Sequence, residues 1–551
     1  MAVGGNMFGD IITGDNSRVV HLPSEVWRPP GEVDARPGLD NVPLHVRFVG
    51  RERELDRLDS VLTAPGQVVV QAVHGLGGIG KSALVAQWAA TRSHGHNPIR
   101  WITADSAANV QQGLAAFAVA VEPMLAQAFR EPQLAEWALQ WLATHAGWLL
   151  VLDNVNDPAD IADLLARTIT SDGRVVITSR LATGWQPTNT IVRLEVLRPD
   201  ESLMLLTRIL TEAGSRDLNG ATDLCSGLGH LPLAIEQAAA YMAQNPLTNP
   251  RDYLELYTRY FAEMHQRTGA AADSERTVAR VWQVTMNHIA TTQPFAAHLL
   301  SVLAWYAPDD IPVTLLDGLA DPATFDVALG MLAAYNMITL DPVNRAVSVH
   351  RLVQAVTRTA HPDDPHRTPA AIGLARDHAT TQLLTALDTN APHAPTTWPL
   401  WRRLGPHVNA LADRTEPGAD SPTLSYILNL FGNFLREQGQ IASAVSLLRR
   451  ALDGETSAGG SQATVLMWRS HLARAYQDAG DLGQAIPLFE GILADFEQQS
   501  GPDHPTALHY RTNLAVAYRA AGDVGRAIPL FERILADYER ELVPRQATFG
   551  R

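Results

Sequence analysis

The sequence has almost no cysteine and almost no lysine. Cys225 is the only cysteine among 551 residues, so no disulfide can form within the chain, and a reducing, cytoplasmic environment is predicted. Lys81 is the only lysine, so the other 42 of the 43 Lys and Arg residues are arginine. An ammonium group is a compact point charge, whereas a guanidinium group is a planar fork. The presence of lysine at position 81 alone therefore indicates a role for which arginine is unsuitable.

The sequence also lacks long apolar runs and an excess of positive charge. No stretch of about 18 apolar residues is present, and the N-terminus has no charged-then-apolar leader, so neither a membrane span nor a secretion signal is predicted. The formal net charge of −15 argues against a general affinity for nucleic acid, which requires a basic face. With 46% hydrophobic and 18% charged residues the composition is that of a globular protein, and the length predicts several domains.

The single lysine belongs to a glycine-rich octet, Gly75-Leu76-Gly77-Gly78-Ile79-Gly80-Lys81-Ser82. The octet fits the P-loop pattern, in which backbone N–H groups surround the phosphates of a nucleotide. An apolar strand precedes it and a helix is predicted to follow, and this context is the confirmation that the motif requires. We expect phosphate contacts from the loop and from Ala83, with Lys81 at the β- and γ-phosphates and Ser82 on Mg²⁺.

Two further side chains follow predicted strands of the same domain. Asp153 ends the continuous apolar strand Trp148–Leu152, where a carboxylate beside a P-loop is placed to hold Mg²⁺ through water. Arg180 follows the next strand, and its guanidinium group suits phosphate oxygens. Strands alternating with helical stretches predict a parallel α/β sheet. The predicted strands are Val68–Val73, Pro98–Thr103, Trp148–Leu152, Arg174–Thr178 and Ile191–Leu194.

The C-terminal part of the sequence repeats itself. Leu472-Ala473-Arg474-Ala475-Tyr476 recurs 42 residues later as Leu514-Ala515-Val516-Ala517-Tyr518, and a more diverged copy runs from Leu428 to Leu448. Each unit reads as helix, Gly-Asp or Gly-Gln turn, helix. This pattern predicts a helical solenoid in which each unit buries its apolar face against its neighbour.

In combination these motifs resemble the NB-ARC branch of the STAND NTPases, which includes apoptosis protease-activating factors and plant disease-resistance receptors. The repeats resemble tetratricopeptide repeats of the kinesin-light-chain kind. The matching motifs, in chain order, are Phe48–Glu52, the P-loop at 75–82, the strand at 148–153, Thr178-Ser179-Arg180, Gly229-His230-Leu231-Pro232-Leu233-Ala234, and Val349-His350-Arg351.

The resemblance implies a multidomain fold, α/β plus α, with a P-loop parallel α/β core. The predicted regions are an extended or disordered N-terminal segment (1–46), a P-loop nucleotide-binding domain (47–196), a helical domain (197–290), a winged-helix domain (291–362), a helical linker (363–420) and the tetratricopeptide α-solenoid (421–551).

The resemblance also implies roles for individual residues. Val49 and Arg51 would line the adenine pocket, and Pro232 would pack on the adenine or ribose. His350 would contact the β-phosphate of ADP and hold the winged helix over the site, while Arg180 would act as a sensor. The sequence departs from the family at Asn154, where members often carry a second acidic residue. An amide cannot act as a general base, so slow or absent hydrolysis is predicted.

The function implied is a bacterial signalling switch, in regulation or defence, that binds ATP or ADP with Mg²⁺. The repeats would bind a protein or peptide, unless they serve only as a spacer, and exchange of ADP for ATP would drive homo-oligomerisation. Two alternatives stay open. One is a DNA-binding regulator using the winged helix, although residues 298–360 contain three arginines against six aspartates. The other is a non-hydrolysing, ADP-bound scaffold, which Asn154 favours.

Overall fold

The computed structural model describes residues 11–13, 18–20, 28–43, 48–62, 67–72, 78–92, 95–168, 173–181, 185, 190–264, 273–361, 364–388, 395–502 and 504–548. The chain divides into two compact units, Met1–Gln382 and Leu383–Arg551. The division falls within the helix Pro369–Asp388.

All described strands belong to the first unit. They are β1 (Ile11–Thr13), β2 (Arg18–Val20), β3 (Gln67–Ala72), β4 (Ile99–Thr103), β5 (Leu149–Val155), β6 (Arg174–Ser179), β7 (Thr190–Leu194), β8 (Ile311–Pro312), β9 (Thr339–Asp341) and β10 (Ala346–Ser348).

Twenty-two α-helices are described. The first fifteen are α1 (Glu52–Leu62), α2 (Lys81–Thr91), α3 (Ala107–Val121), α4 (Leu125–Ala128), α5 (Glu131–Thr144), α6 (Ala162–Thr168), α7 (Pro199–Thr211), α8 (Ala221–Gly227), α9 (Pro232–Gln244), α10 (Pro250–Met264), α11 (Asp273–Thr292), α12 (Pro294–Leu303), α13 (Pro322–Ala334), α14 (Arg351–Arg358) and α15 (Pro369–Asp388). The others are α16 (Trp398–Asp413), α17 (Pro422–Glu437), α18 (Ile441–Ser457), α19 (Gln462–Asp478), α20 (Leu482–Ser500), α21 (Pro505–Ala520) and α22 (Val524–Thr548).

The predicted α/β core is confirmed as a five-stranded parallel sheet. Its order is β4-β5-β6-β3-β7, and every neighbouring pair is parallel. Leu149, Leu150 and Val151 of β5 are all buried, because one apolar cluster lies on each face of the sheet. Helices α1 and α2 contribute to one cluster, and α3 and α5 contribute to the other. A continuous apolar strand is the expected consequence of this two-sided burial.

Part of the N-terminal segment lies along the edge strand β4. The Ile99 N–H donates to Asp40 Oδ1 (2.7 Å), and the Asn41 amide pairs with both the N–H and the C=O of Trp101 (2.6 and 2.9 Å). The Trp141 indole N–H also donates to the Val33 carbonyl (2.7 Å). Residues 28–43 therefore satisfy edge groups that would otherwise be unpaired. The sequence predicted an extended segment here but did not indicate this docking.

In the predicted winged-helix region, Met337-Ile338-Thr339-Leu340 and Ala346-Val347-Ser348-Val349 predict the two strands of a small β-wing. Strands β9 and β10 overlap these two segments, and a third strand joins them in the order β8-β10-β9. Strand β8 was missed because it is only two residues long and contains Pro312. Helices α7 to α11 supply the helical stretch predicted for 199–290, as far as the described residues extend.

The second unit contains the predicted repeats as helix pairs. They are α17–α18, α19–α20 and α21–α22, and the turns contain Gly439, Gly480 and Gly522 at φ of 82°, 76° and 75°. A left-handed backbone favours glycine at these turns. One apolar cluster runs through the array. Among the described helices, none combines the length and the apolar content that a membrane span requires. The boundaries of the six predicted regions remain predictions.

Candidate functional site

The described part of the glycine-rich loop leads directly into helix α2. Gly78 and Gly80 adopt φ of 74° and 93°, and α2 begins at Lys81. The first N–H groups of a helix have no acceptor within that helix, so Lys81, Ser82 and Ala83 present donors at its positive end. Ile79 is fully buried and anchors the loop to the core beside α1. Gly75 and Gly77 lie outside the described residues.

Lys81 is buried and carries a perturbed ammonium group. The residue is 8% exposed, and burial lowers its pKa to about 8. The positive charge of Arg180 lowers this pKa further, while the Asp153 carboxylate opposes the shift. The ammonium group of Lys81, the guanidinium group of Arg180 and the N-terminus of α2 thus lie close together. Positive groups in this arrangement suit a polyanion such as a phosphate chain.

Asp153 accepts hydrogen bonds from hydroxyl groups of two neighbouring elements. Ser82 Oγ donates to Asp153 Oδ1 at 2.7 Å, and Thr178 Oγ1 donates to the same oxygen at 2.6 Å. Asp153 ends the apolar part of β5, Thr178 lies on the adjacent β6, and Ser82 lies in the first turn of α2. A carboxylate and a hydroxyl are oxygen ligands of the kind that Mg²⁺ prefers. The residues present therefore fit the predicted magnesium site.

Asn154 adopts an unusual backbone conformation directly after Asp153. Its φ is 64°, and its N–H donates to Thr178 Oγ1 at 2.8 Å. Asparagine tolerates the left-handed region better than most residues. The amide side chain thus stands beside the candidate magnesium ligand at the position where the family often has an acid.

Arg51 makes contacts that the resemblance did not indicate. Its Nη2 donates to the carbonyls of Ile79 (2.9 Å) and Glu195 (2.8 Å), and its backbone N–H donates to Glu201 Oε1 (2.8 Å). Burial lowers the pKa of the guanidinium group. The side chain therefore ties the glycine-rich loop to the segment between β7 and α7. Val49 lies two residues earlier and is half-buried.

Two helices of the first unit, α9 and α14, approach the glycine-rich loop at Gly78. Pro232 is the first residue of α9, and the next N–H, from Leu233, reaches the Gly78 carbonyl at 3.5 Å. A Cβ at Gly78 would lie 3.2 Å from Leu233 and 3.3 Å from Leu352 of α14. The loop is thus in contact with both helices. A Cβ at Gly78 would crowd both side chains, and the left-handed φ of 74° also favours glycine.

His350 caps α14 close to the same cations. Its Nδ1 accepts from the Leu352 N–H at 3.1 Å. Surrounding protein lowers the pKa of His350 to about 4, and the charges of Arg180, Arg351 and Lys81 lower it in the same direction. The residue is nevertheless exposed, and the three nearby positive charges oppose its protonation directly. The predicted residues Lys81, Asp153, Arg180 and His350 therefore share one electrostatic neighbourhood.

Three charged residues of this neighbourhood were missed or unassigned by sequence reasoning. Arg351 forms an ion pair with Asp105, which follows β4, at 2.9 Å, and Asn109 donates to the same carboxylate at 2.5 Å. The surrounding protein raises the pKa of Asp309 to about 6 although part of the residue is exposed, and the charge of Arg351 opposes the shift. No local pattern pairs residues 105 and 351. The only signal was Ser106, a helix N-cap that places Asp105 at the sheet edge.

Comparison with known proteins bears on both compact units. The sequence profile of the NB-ARC domain matches residues 51–215. The profile of the tetratricopeptide repeat matches residues 462–540. The chain carries an NB-ARC domain and C-terminal tetratricopeptide repeats. Both parts of the predicted resemblance are confirmed, and the NB-ARC match implies nucleotide binding.

Two relatives each match at least half of this chain. A nucleotide-binding leucine-rich repeat (NLR)-like protein of Hyaloscypha variabilis is 29% identical over 57% of this chain and 35% of its own length. The regulatory protein AfsR of Streptomyces griseus is 28% identical over 50% of this chain and 28% of its own length. The chain thus spans about a third of the length of these relatives.

Among solved structures, a STAND protein with a tetratricopeptide repeat sensor from Pyrococcus horikoshii is similar. It is 15% identical, with a TM-score of 0.40, over 91% of this chain and 78% of that one.

Proposed function

We propose that the chain is a STAND-type signalling switch that exchanges ADP for ATP. The observation that supports this most is the meeting of Lys81, Asp153 and Arg180 with His350 of the winged-helix region. The first three groups belong to a phosphate-binding sheet edge, and His350 belongs to a separate element far along the chain. A nucleotide bound there would contact both, so its phosphate chain would influence how they associate.

In this proposal the phosphates lie at the start of α2. The N–H groups of the loop through Ala83, together with Lys81, would hold the β- and γ-phosphates, and Ser82 and Asp153 would hold Mg²⁺. The bound Mg²⁺ would neutralise phosphate charge. Val49 and the backbone around Arg51 would approach the adenine, and Pro232 would pack on the base or ribose.

In this proposal, the contacts around Gly78 belong to the closed form of the first unit. Leu352 of α14 reaches the loop, and Arg351 is paired with Asp105. Three nearby cations favour the neutral form of His350. Because Nδ1 accepts from the Leu352 N–H, the neutral ring carries its proton on Nε2, which would donate one hydrogen bond to a diphosphate. A triphosphate adds charge at this point, and its different affinity for closed and open forms would shift the balance between them.

The remaining steps concern partners. The repeats would bind a protein or peptide, and the ATP-bound form would assemble into a homo-oligomer, in bacterial regulation or defence in the cytoplasm. Turnover would be slow, because Asn154 offers an amide where a base is needed. A switch requires exchange of nucleotide rather than rapid hydrolysis.

A direct experiment is to denature the purified protein and identify the released nucleotide by chromatography, and to measure its mass in ADP and in ATP. Bound ADP and a larger mass with ATP would support the proposal. Absence of any bound nucleotide, together with no calorimetric heat on adding ATP, ADP and Mg²⁺, would contradict it.

The structure gives one observation against a DNA-binding role for the winged-helix region. Of its three arginines, Arg351 is paired with Asp105, and Arg358 donates to the Ala304 carbonyl. Arg345 remains exposed on the wing. One exposed cation among six aspartates is a poor phosphate-binding surface. Salt-sensitive retention on DNA would revive this alternative.

The non-hydrolysing scaffold stays a second candidate, and Asn154 is the observation that favours it. Phosphate release, measured with and without a partner of the repeats, separates it from the switch. Release that a partner stimulates supports the switch, whereas ADP that is never exchanged supports the scaffold.

A further inference from the structure

Strand β5 has one residue more than its neighbour β6 at the end where both strands approach the start of α2. Residues 152–155 of β5 pair with residues 177–179 of β6, so Asp153 and Asn154 lie together opposite the single residue Thr178. An extra residue of this kind is a β-bulge, which bends a strand and changes the direction of a side chain, and bulges are frequent next to functional sites. Here the affected side chain belongs to a candidate magnesium ligand.

The hydroxyl group of Thr178 joins both residues of the bulge. Oγ1 donates to Asp153 Oδ1 at 2.6 Å and accepts from the Asn154 N–H at 2.8 Å. The direction of the first bond is fixed, because an ionised carboxylate can only accept. The bond that Oγ1 accepts polarises its O–H and strengthens the bond that it donates. Thr178 is fully buried, so water does not compete for either bond.

Asp153 is held through its backbone and through its side chain. Its carbonyl accepts from the Ala104 N–H at 2.7 Å, on the side of β4. Its Oδ1 accepts from Ser82 of α2 at 2.7 Å, in addition to the bond from Thr178. Two donors from different elements limit the rotation of the carboxylate. Since Ser82 is itself a candidate magnesium ligand, Thr178 is the donor of the two that the metal would not engage.

We propose that Thr178 is a positioning residue for Mg²⁺, which it serves by holding Asp153 at the bulge without touching the metal or the nucleotide. This inference rests on the proposed function, since it requires a nucleotide and Mg²⁺ at the site. Groups that orient the residues around a metal typically contribute about 10- to 100-fold to metal affinity. Mg²⁺ contacts the β- and γ-phosphate oxygens, so binding of ATP with metal depends on Thr178, whereas binding of ATP without metal does not.

The test compares the affinity of the full chain for ATP in Mg²⁺ with its affinity in excess EDTA, both measured by calorimetry. The ratio of the two affinities is the gain that Mg²⁺ provides. Thr178→Val keeps the branched shape of the side chain but removes the hydroxyl group, so the gain should fall by at least about tenfold. Its affinity in EDTA should stay close to that of the wild type. Thr178→Ser restores a hydroxyl group and should recover most of the gain.

Ser179 provides a matched control on the same strand. Its Oγ donates to the Val155 carbonyl at 2.7 Å, so it also joins β6 to the end of β5, and the residue is fully buried as well. Ser179→Ala should lower the melting temperature of the protein as Thr178→Val does, because each variant loses a buried hydrogen bond between the two strands. The control should leave the gain from Mg²⁺ unchanged, so a loss of stability alone does not imitate a loss of positioning.

Three results would overturn the inference and leave nucleotide exchange intact. They are a wild type whose affinity for ATP is the same in Mg²⁺ and in EDTA, an undiminished gain in Thr178→Val, and an equal loss of the gain in Ser179→Ala. The last result would show that the effect comes from weakened strand pairing. A wild type that binds neither ATP nor ADP in either condition would contradict the proposed function itself, and the inference with it.

Discussion

Arg351 and Asp105 form an ion pair of 2.9 Å across 246 residues of sequence. The arginine starts α14 directly after His350, and the aspartate follows β4 of the parallel sheet. Their side chains are 24% and 23% exposed, so water screens the pair only in part. The pair joins the winged-helix region to the sheet without any nucleotide group. In the proposed switch, this pair would stabilise the closed form in addition to the contacts made by the nucleotide.

Breaking this pair should accelerate ADP release. Arg351→Asp places two carboxylates together, and loss of a partly exposed pair is worth about 1 kcal/mol, or roughly fivefold in rate. Stopped-flow release of a fluorescent ADP analogue measures the effect. The exchange Asp105→Arg with Arg351→Asp should restore slow release. Equal release rates in the wild type and the single variant would mean that the pair does not hold the closed form.

Replacing Lys81 should weaken nucleotide binding, and the size of the loss should depend on the replacement. Lys81→Ala removes the buried ammonium group and should reduce affinity for ATP by at least about a hundredfold, as expected when a charged hydrogen-bonding partner is lost. Lys81→Arg keeps the charge, but the planar fork does not match a site shaped for a compact cation, so we expect intermediate affinity. Calorimetry with Mg²⁺ measures both. Tight binding by Lys81→Ala would contradict the assignment.

Because Lys81 is the only lysine, protection of this residue from proteolysis can report nucleotide binding without any mutation. A lysine-specific protease has one possible site in this chain, after Lys81. Lys81 is buried at the start of α2, so cleavage requires local opening of the loop. Bound ATP or ADP should slow this cleavage by stabilising the closed loop, whereas an arginine-specific protease should still cut exposed segments at its usual rate. Cleavage at residue 81 that is unaffected by nucleotide would place the ligand at another site.

Local patterns in the sequence predicted the elements of the fold well, and long-range pairing poorly. The apolar run Trp148–Leu152 predicted a doubly buried strand because burial on both faces removes alternation. The 42-residue recurrence predicted the helix pairs because each unit must bury the same face. Strand β8 was missed because two residues carry no periodicity.

In the candidate site, too, local patterns were predicted and contacts between distant segments were not. Lys81, Ser82 and Asp153 were predicted because a motif and a strand end specify their places along the chain, although their roles in binding are still predictions. The contact between Arg351 and Asp105 was not predicted, because it depends on how two distant elements pack. Arg51 likewise carries its guanidinium group to the Ile79 and Glu195 carbonyls, and no spacing rule in the sequence indicates those acceptors.

Acid should loosen the region around His350. Its folded pKa of about 4 lies below the value near 6.5 of an unfolded histidine. The unfolded chain therefore binds more protons between pH 6.5 and 4, so this histidine makes stability fall as the pH falls through that window. Asp309 acts in the opposite sense, because its pKa is raised to about 6.

A variant of His350 distinguishes the pH dependence caused by this histidine from that caused by Asp309. His350→Asn keeps an acceptor for the Leu352 N–H but cannot titrate. Melting temperatures measured from pH 7 to 4 should fall less steeply for this variant than for the wild type. Parallel curves would show that His350 is protonated equally in the folded and unfolded states.

A buried ion pair should contribute strongly to the stability of the first unit. Arg367 Nε and Asp364 Oδ2 are 2.6 Å apart, both residues are almost fully buried, and the guanidinium group lies over Trp282. Asp364→Ala leaves a buried cation without its carboxylate, which should cost about 3–5 kcal/mol in urea unfolding. The control is Asp377→Ala, which breaks the more exposed pair with Arg376 and should cost less than about 1 kcal/mol. Similar costs in the two variants would show that Arg367 is solvated despite its burial.

Restoring an acid after Asp153 should increase ATP hydrolysis. Asn154→Asp places a carboxylate where the side chain is now an amide, and a positioned general base typically contributes about 10²- to 10⁴-fold in rate. Aspartate also tolerates the φ of 64° found at this position, so the backbone can remain as it is. Phosphate release under single-turnover conditions measures the gain, and Asn154→Ala, which has no acid and a strained backbone, should give none. If Asn154→Asp bound ATP normally and released phosphate no faster than the wild type, the low turnover would have another cause than the missing carboxylate.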